Sequence, residues 1–401
     1  MLWTVALIAL FWLSVAARVR RTRNEDRWRL GTDAPRLPGL PVLTVLIPAR
    51  DEAANIGACI RSLAASDHGN LSIVVFDDAS SDATADLALA AGARLLRGEG
   101  PVPAGWKGKP WALHRAVQAL DLPDDAWLLF LDADVRVHPS ALALAQSRAI
   151  SDGVAFLSGL GKLEMGGFWE KVIQPSVGGL IIAGNDLDKV NDPARKDAVI
   201  ANGQFILVQL GAYRQAGGHE AVKADILDDV GLARAFVAKD LPIRVVFMRE
   251  LFSCRMYTNL RELWLGWTKN LYAGMRYSVI LPVVLSGFIA FEFVLPYFLP
   301  AIAIVRGDMP GLAASLGLLG LMHAVRYWMD GIFGQDRRYG LLQGLGALML
   351  VGLLLDSVRR SRLGQVAWKG RMYSVGVGDE TKEVGRLGAI AVAAERGAER
   401  R

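Results

Sequence analysis

Cysteine is almost absent from this chain: 401 residues carry two, Cys59 and Cys254, alongside five histidines. Two thiols without metal-type spacing exclude a disulfide framework and a cysteine zinc module, and both fall where the pattern reads as helix or strand core. The histidines share no spacing, so a histidine-ligated zinc has no support. Also missing are G-x-S-x-G, G-x-x-x-x-G-K-[ST] and a G-x-G-x-x-G after a strand. Their absence removes the motif support for a nucleophile-elbow hydrolase, a P-loop NTPase and a dinucleotide enzyme. No internal repeat is visible, and no basic residue precedes the first apolar run, as a cleaved signal peptide would want.

What the chain has in excess is apolar sequence, 52% by the AVILMFWYC count, and the excess is local. Leu2 to Ala17 is apolar except for Thr4 and Ser14, and Arg18, Arg20, Arg21, Arg23, Arg27 and Arg29 follow. That order reads as an N-terminal anchor with the following domain in the cytoplasm; cleavage near Ser14-Val15-Ala16 is the competing reading. Three further apolar stretches are Val279–Val305, roughly Pro310–Val325, and Leu341–Leu355. The first is long enough to span a bilayer; the other two are short. Pro282, Pro296 and Pro300 suggest a bent hairpin in the first, or a re-entrant segment among the three. With the domain after the anchor inside, three C-terminal crossings would leave Arg359–Arg371 outside, against the positive-inside rule. The expectation is a multi-pass protein of a bacterial-type cytoplasmic membrane, its catalytic domain inside. The net charge of +5 sits mostly in these juxtamembrane arginines, with Arg359, Arg360, Arg362, Lys369 and Arg371 at the far end. Such clusters suit an anionic lipid surface. Without interleaved stacking aromatics they do not suit nucleic acid.

The expected segments are an anchor (1–18), a basic, Pro-rich linker (19–41), an α/β domain (42–256), an amphipathic interfacial stretch (257–278), membrane helices (279–356), and a basic segment with a polar tail (357–401). In the interfacial stretch Trp264, Trp267, Tyr272 and Tyr277 suit headgroup level. Within the α/β domain the pattern predicts strands at Val42–Ile47, Leu71–Phe76, Ala93–Leu96 and Ala126–Leu131. Helices are expected at Ala53–Ala65, Ser81–Ala91, Pro110–Leu120 and Val230–Val237. Alternation of this kind indicates a mostly parallel sheet, whose ligands bind beyond the carboxyl ends of the strands. Three polar clusters fall there: Arg50-Asp51-Glu52, Asp77-Asp78, and Asp132/Asp134.

Asp132-Ala133-Asp134 follows a strand buried on both faces. If the strand geometry continued, both carboxylates would project to one side and call for a divalent cation between them, with phosphate oxygens completing its shell. The competing reading is that they only end the strand and cap the helix after Pro139. Asp77 and Asp78 precede Ser80 and Ser81, one of which would cap the next helix; two adjacent acids exceed that need and suit the donors of a nucleoside. Lys107 and Lys109, between Gly105 and Pro110, would form an anion site at a helix start, Pro110 occupying the first helical position, against the alternative of a solvated basic turn. Asp225, Asp228 and Asp229 open a helix that needs one capping acid, and a partly desolvated carboxylate beside another has its pKa raised toward the general-base range. Asp229 is preferred over Asp228.

In order, "VLIPARDEAANI" (45–56), "VVFDDASSDAT" (74–84), "GWKGKPWAL" (105–113), "LFLDADV" (129–135) and "DILDDVGLAR" (225–234) resemble the family 2 glycosyltransferases of GT-A fold. "VNDP" (190–193) and "ANGQFILVQLGAYRQAGG" (201–218) also match, and the likeness covers roughly 44–280. Three of these motifs look like the membrane-bound branch associated with hopanoid and carotenoid biosynthesis. The resemblance implies a mixed, mostly parallel sheet with terminal transmembrane helices, and inverting transfer from a UDP-sugar with Mg²⁺ or Mn²⁺. By matching position, Pro48, Arg50, Asp51, Glu52, Asp77, Asp78, Lys107, Lys109 and Asp132 would bind the nucleotide sugar. Asp132 and Asp134 would hold the metal, and Asp229 or Asp228 would be the base. The Q-x-x-R-W motif of processive synthases is missing, 266–277 reading "GWTKNLYAGMRY", which implies a single transfer to a lipid hydroxyl. The rival functions are a metal-dependent nucleotidyl- or phosphoryltransferase acting on a lipid, and a non-catalytic nucleotide-binding membrane protein.

Overall fold

The computed structural model describes residues 1–23, 26–363, 366–368 and 371–373; Lys369 and the polar tail expected from about Gly376 lie outside the described residues. Ten strands build the α/β domain: β1 (Leu43–Ala49), β2 (Leu71–Asp77), β3 (Arg94–Arg97), β4 (Trp127–Leu131), β5 (Val135–Val137), β6 (Phe156–Leu160), β7 (Lys162–Leu163), β8 (Phe205–Gln209), β9 (Ile243–Phe247) and β10 (Phe252–Cys254). Seven form one sheet in the order β3-β2-β1-β4-β8-β6-β9, and β5-β10-β7 form a small second sheet. Only β8 opposes its neighbours, β4 and β6, in the large sheet, so that sheet is mixed and mostly parallel.

The unbroken apolar run of β4 has its reason here. All five residues are buried, Leu129 and Leu131 on one face and Leu128 and Phe130 on the other. The first face is covered by the Ile56–Ala64 and Ala141–Ser151 helices, the second by the Gly108–Gln118 and Asp228–Ala238 helices. The structure starts two helices later than the pattern predicts, at Ile56 and Thr84. The backbone N–H groups there are taken across the loop: Glu52 N–H donates to Thr84 Oγ1 (2.8 Å) and Ala53 N–H to Asp82 Oδ2 (3.0 Å).

The "VNDP" segment is explained by the sheet edge. Buried Asn191 donates from Nδ2 to Val245 O (2.9 Å), and its Oδ1 accepts the Val245 N–H (2.7 Å). One side chain thus satisfies both backbone groups that β9 would otherwise leave open. The linker also joins this edge. Leu30 N–H donates to Phe247 O (2.8 Å), and Trp28 donates to Asp188 Oδ1 (2.6 Å).

Two of the four aromatics expected at headgroup level are instead inside the protein, and the other two are half-buried. Trp267 and Tyr272 are buried with Leu350, Leu353 and Leu354 between the Leu260–Gly274 and Gln343–Arg362 helices. Trp264 Nε1 donates to Asp356 Oδ2 (2.8 Å), and the Tyr277 ring stands edge-on to Tyr272. Burial inside the protein outweighs a headgroup position for Trp267 and Tyr272.

Among the described residues, three helices are long and apolar enough to cross a membrane: Leu2–Arg20, Ile280–Tyr297 and Arg337–Arg362. The bent hairpin expected for Val279–Val305 is absent. Its backbone stays right-handed through a π turn (Ala290–Val294) and a 3-10 turn (Leu295–Tyr297) into the Leu299–Val305 helix. Pro296 and Pro300 lack the N–H a regular helix would use, which accounts for a break without a reversal. Pro310–Val325 lies within the Met309–Ile332 helix. Met1 lies against Gly311, and Val5, Ile8 and Trp12 share a buried cluster with Leu318, Met322 and Val325.

Candidate active site

The carboxyl ends of β1, β2 and β4 come together as the parallel register demands. The β1 and β2 ends interlock. Asp78 N–H donates to Ala49 O (2.8 Å) and Arg50 Nη1 to Asp78 O (2.9 Å). Asp51 and Ala79 have positive φ, 51° and 54°, a conformation non-glycine residues hold only when their surroundings fix it. Here the Asp51 carboxylate accepts from Ser81 N–H (2.7 Å) and Ser81 Oγ (3.0 Å). The Ser81 N–H bond outweighs partial burial and holds the Asp51 carboxyl below its ordinary value. Asp77 is buried, and its Oδ1 accepts the Ser80 N–H (3.1 Å). That bond organises the turn; Asp78, partly exposed, is the member of the pair that faces outward.

β4 ends at Leu131, and Asp132-Ala133-Asp134 is a turn rather than extended strand, closed by Val135 N–H to Asp132 O (3.2 Å). The two carboxylates are therefore brought near by a bend, not by strand alternation. Asp132 Oδ1 accepts from Lys109 Nζ at 2.6 Å. Burial, then the Asp132 charge, pushes Asp134 up to about 7. The neighbouring acid therefore discourages a second negative charge, the condition a bound cation would reverse.

The Gly108–Gln118 helix begins two residues before Pro110, which therefore sits inside its first turn. Lys109 from that turn and the first turn of the Asp228–Ala238 helix meet on either side of Gly203. A methyl group on Gly203 would lie 3.2 Å from Asp229 Oδ2 and 3.3 Å from Lys109 Nζ. Gly203 N–H donates to Asp229 Oδ2 and Val230 N–H to Asp229 Oδ1, both at 2.8 Å. Burial would lower the Lys109 ammonium, but Asp132, Asp228 and Asp229 around it hold it above its ordinary value. Burial, then the neighbouring Asp228 charge, raises Asp229 to about 6. Pro48, Lys109, Asp132, Gly203, His219 and Asp228 line one cleft. Lys107 is fixed by its N–H to Lys223 O (2.7 Å), and burial lowers its half-buried ammonium.

Motif reasoning assigned no role to Gly203, His219 or Lys269. Gly203 lies in the matched "ANGQF" stretch, but a close backbone approach leaves no pattern in one sequence. His219 is buried beneath the cleft with Nδ1 2.8 Å from Tyr213 OH, and burial pushes it down to about 3, so it stays neutral. Among the described residues no group of three or more His, Cys, Asp or Glu side chains forms a metal cluster. Cys59 and Cys254 are free and buried, as expected.

Residues 44–201 match the family model for glycosyl transferase family 2. The chain is 24% identical over 345 residues to 4,4'-diaponeurosporenoate glycosyltransferase of Staphylococcus aureus strain MRSA252, covering 83% of this chain and 88% of that protein. The same identity and cover hold for the enzyme of strain USA300. A solved mannosyltransferase of Pyrobaculum calidifontis, in complex with GDP-Man and Mn²⁺, superposes with TM-score 0.48 at 18% identity over 86% of this chain and 99% of that one. The sheet order and the acids at its carboxyl edge define a glycosyltransferase domain of GT-A type. The 44–201 region of the chain carries the glycosyl transferase family 2 domain.

Proposed function

We propose that this enzyme moves one sugar from a UDP-sugar to a hydroxyl of a lipid acceptor at the cytoplasmic face of a membrane, with inversion at the anomeric carbon. The observation that carries the reading is the meeting of the Lys109–Asp132 pair with Asp229 across Gly203. One side can hold a diphosphate and the other can take a proton, close enough for in-line displacement. Asp51 and Asp78, at the carboxyl ends of β1 and β2, are read as nucleoside contacts, because carboxylates accept hydrogen bonds from ribose hydroxyls and base N–H groups. Asp229 takes the acceptor hydroxyl's proton as the oxygen attacks the anomeric carbon, which passes through an oxocarbenium-like state. Lys109 stabilises the charge that grows on the departing diphosphate. Asp132 and Asp134 offer the hard oxygen ligands that Mg²⁺ or Mn²⁺ takes, and with two protein carboxylates the remaining positions fall to diphosphate and water. When bound, the ion would offset charge on the leaving group.

The S. aureus relative is named for an acceptor of carotenoid type, which supports an isoprenoid or hopanoid-like lipid here. The helix arrangement supports three crossings: Leu2–Arg23, Ile280–Val305 and Met309–Ile332. Met1 lies against Gly311 at one end of the third, and at the other Arg249 of the catalytic domain stacks 4.6 Å over Phe333. Met309–Ile332 has 24 residues, about 36 Å of helix, enough to cross. Gln343–Arg362 instead rests between catalytic-side helices, Gly346 against Val172 and Trp264 on Asp356. Arg359, Arg360 and Arg362 then lie in the cytoplasm, as the positive-inside rule asks.

The test is product analysis. Purified enzyme with a UDP-sugar, manganese and membrane lipid extract is expected to release UDP and yield a glycosylated lipid. Pyrophosphate in place of UDP would make it a nucleotidyltransferase. UDP binding without release in the presence of lipid would leave only a nucleotide-binding protein.

A further inference from the structure

Strands β6 and β8 pair only as far as Ser158 and Ile206. Just before β8 the chain bends through Asn202, Gly203 and Gln204, and this bend touches both halves of the site. Gly203 N–H donates to Asp229 Oδ2 (2.8 Å), and Gly203 O accepts from Lys109 Nζ (3.5 Å). Gln204 O accepts the Asp132 N–H (3.3 Å). Where the ladder stops, side chains hold the bend in its place. Ser158 is fully buried; its Oγ accepts the Asn202 N–H (2.8 Å) and donates to Asn202 O (3.3 Å). Asn202 Nδ2 returns a bond to Gly159 O (2.9 Å). The serine's one donor and one of its acceptor sites are thus committed to the backbone of a single residue.

Asp229 is the group that feels this clamp. Burial, then the Asp228 charge, raises its carboxyl, and the bonds from Val230 and Gly203 oppose the rise. The charged groups around it are Asp228 on its own helix, Lys109 from the Gly108–Gln118 helix and Lys269 from the Leu260–Gly274 helix. We propose that Ser158 is a positioning residue for transfer: by clamping Asn202 it sets the Gly203 N–H that orients the Asp229 carboxylate beside the Lys109–Asp132 pair. The inference rests on the reading of Asp229 as base.

The experiment is the pH profile of kcat/KM for the full-length enzyme with UDP-sugar and lipid. In Ser158→Ala the Gly203 bond to ionised Asp229 slackens, and the acidic limb should move up by about one pH unit. Turnover should fall while UDP affinity holds, because Asp132 keeps its direct bond to Lys109. Ser158→Thr retains the hydroxyl and should return the limb. Ser158→Cys gives the same reading as Ser158→Ala if the latter does not fold. An unmoved limb beside an inactive Asp229→Asn enzyme overturns the role of Ser158 alone. A limb that stays displaced in Ser158→Thr assigns the effect to packing and overturns it too. An Asp229→Asn enzyme that still turns over removes the base reading, and this proposal with it.

Discussion

Asp229 is held by two backbone N–H groups and yet has a raised pKa, because burial and the Asp228 charge outweigh those bonds. The sign of the consequence follows. With a folded pKa of about 6 against an ordinary 3.8, the folded chain binds this proton more tightly than the unfolded one. Its contribution to stability is full below the ordinary value and is lost as pH rises through the folded value. On the proposed reading of Asp229 as base, catalysis needs the opposite form. The kcat/KM of the enzyme should therefore fall below about pH 6, read from initial rates across pH 5–8. Asp229→Asn should bind UDP as before while turnover drops by roughly 10²–10⁴; unchanged turnover would remove Asp229 from the reaction. These acids were legible because each cluster exceeds what capping or strand ending requires. His219 and Gly203 were not: a neutral buried histidine and a glycine chosen for contact across the chain leave no local periodicity.

Elements were read best where burial alone shapes them. The six-residue apolar run Ala126–Leu131 predicts a strand enclosed on both faces, and the structure has it with the start shifted by one residue, to Trp127. Errors fall where a segment's hydrogen bonds go to a distant partner. Two helix starts moved inward because loop amides bond across to Asp82 and Thr84. The Asp132–Asp134 segment leaves the strand where Asp132 N–H bonds across to Gln204 O (3.3 Å), and a local Val135 N–H to Asp132 O bond closes the turn. Asn191 is the sharpest case, a side chain acting as a strand partner. Asn191→Ala would leave a buried N–H and C=O of Val245 unpaired, and each such group costs about 1–3 kcal/mol. A lower melting temperature in detergent is expected, with KM for the donor little changed in the enzyme that remains folded. An unchanged melting temperature would mean that water replaces the amide.

For the whole molecule, hydropathy and the proposed three-span reading take different third spans. By composition the candidate is Arg337–Arg362; by neighbours it is Met309–Ile332, whose ends face opposite ways. The distinction is open to labelling, and the two native thiols are buried and give little background. In intact cells a membrane-impermeant maleimide should modify Arg306→Cys. It should modify Arg338→Cys and Arg359→Cys only after permeabilisation. Labelling of Arg359→Cys from outside would restore a further crossing and refute the three-span arrangement.

The first helix has a consequence of its own. Trp12 donates from its indole to Glu292 O (3.3 Å), within the π turn of the second apolar helix, and lies with Met322 and Val325 of the next. The amino-terminal segment is thus a keystone rather than a tether. On the three-span reading, exchanging it for an unrelated hydrophobic anchor would still deliver the chain to a bilayer, but would strip the other two apolar helices of their common neighbour and loosen the floor on which the transferase domain stands.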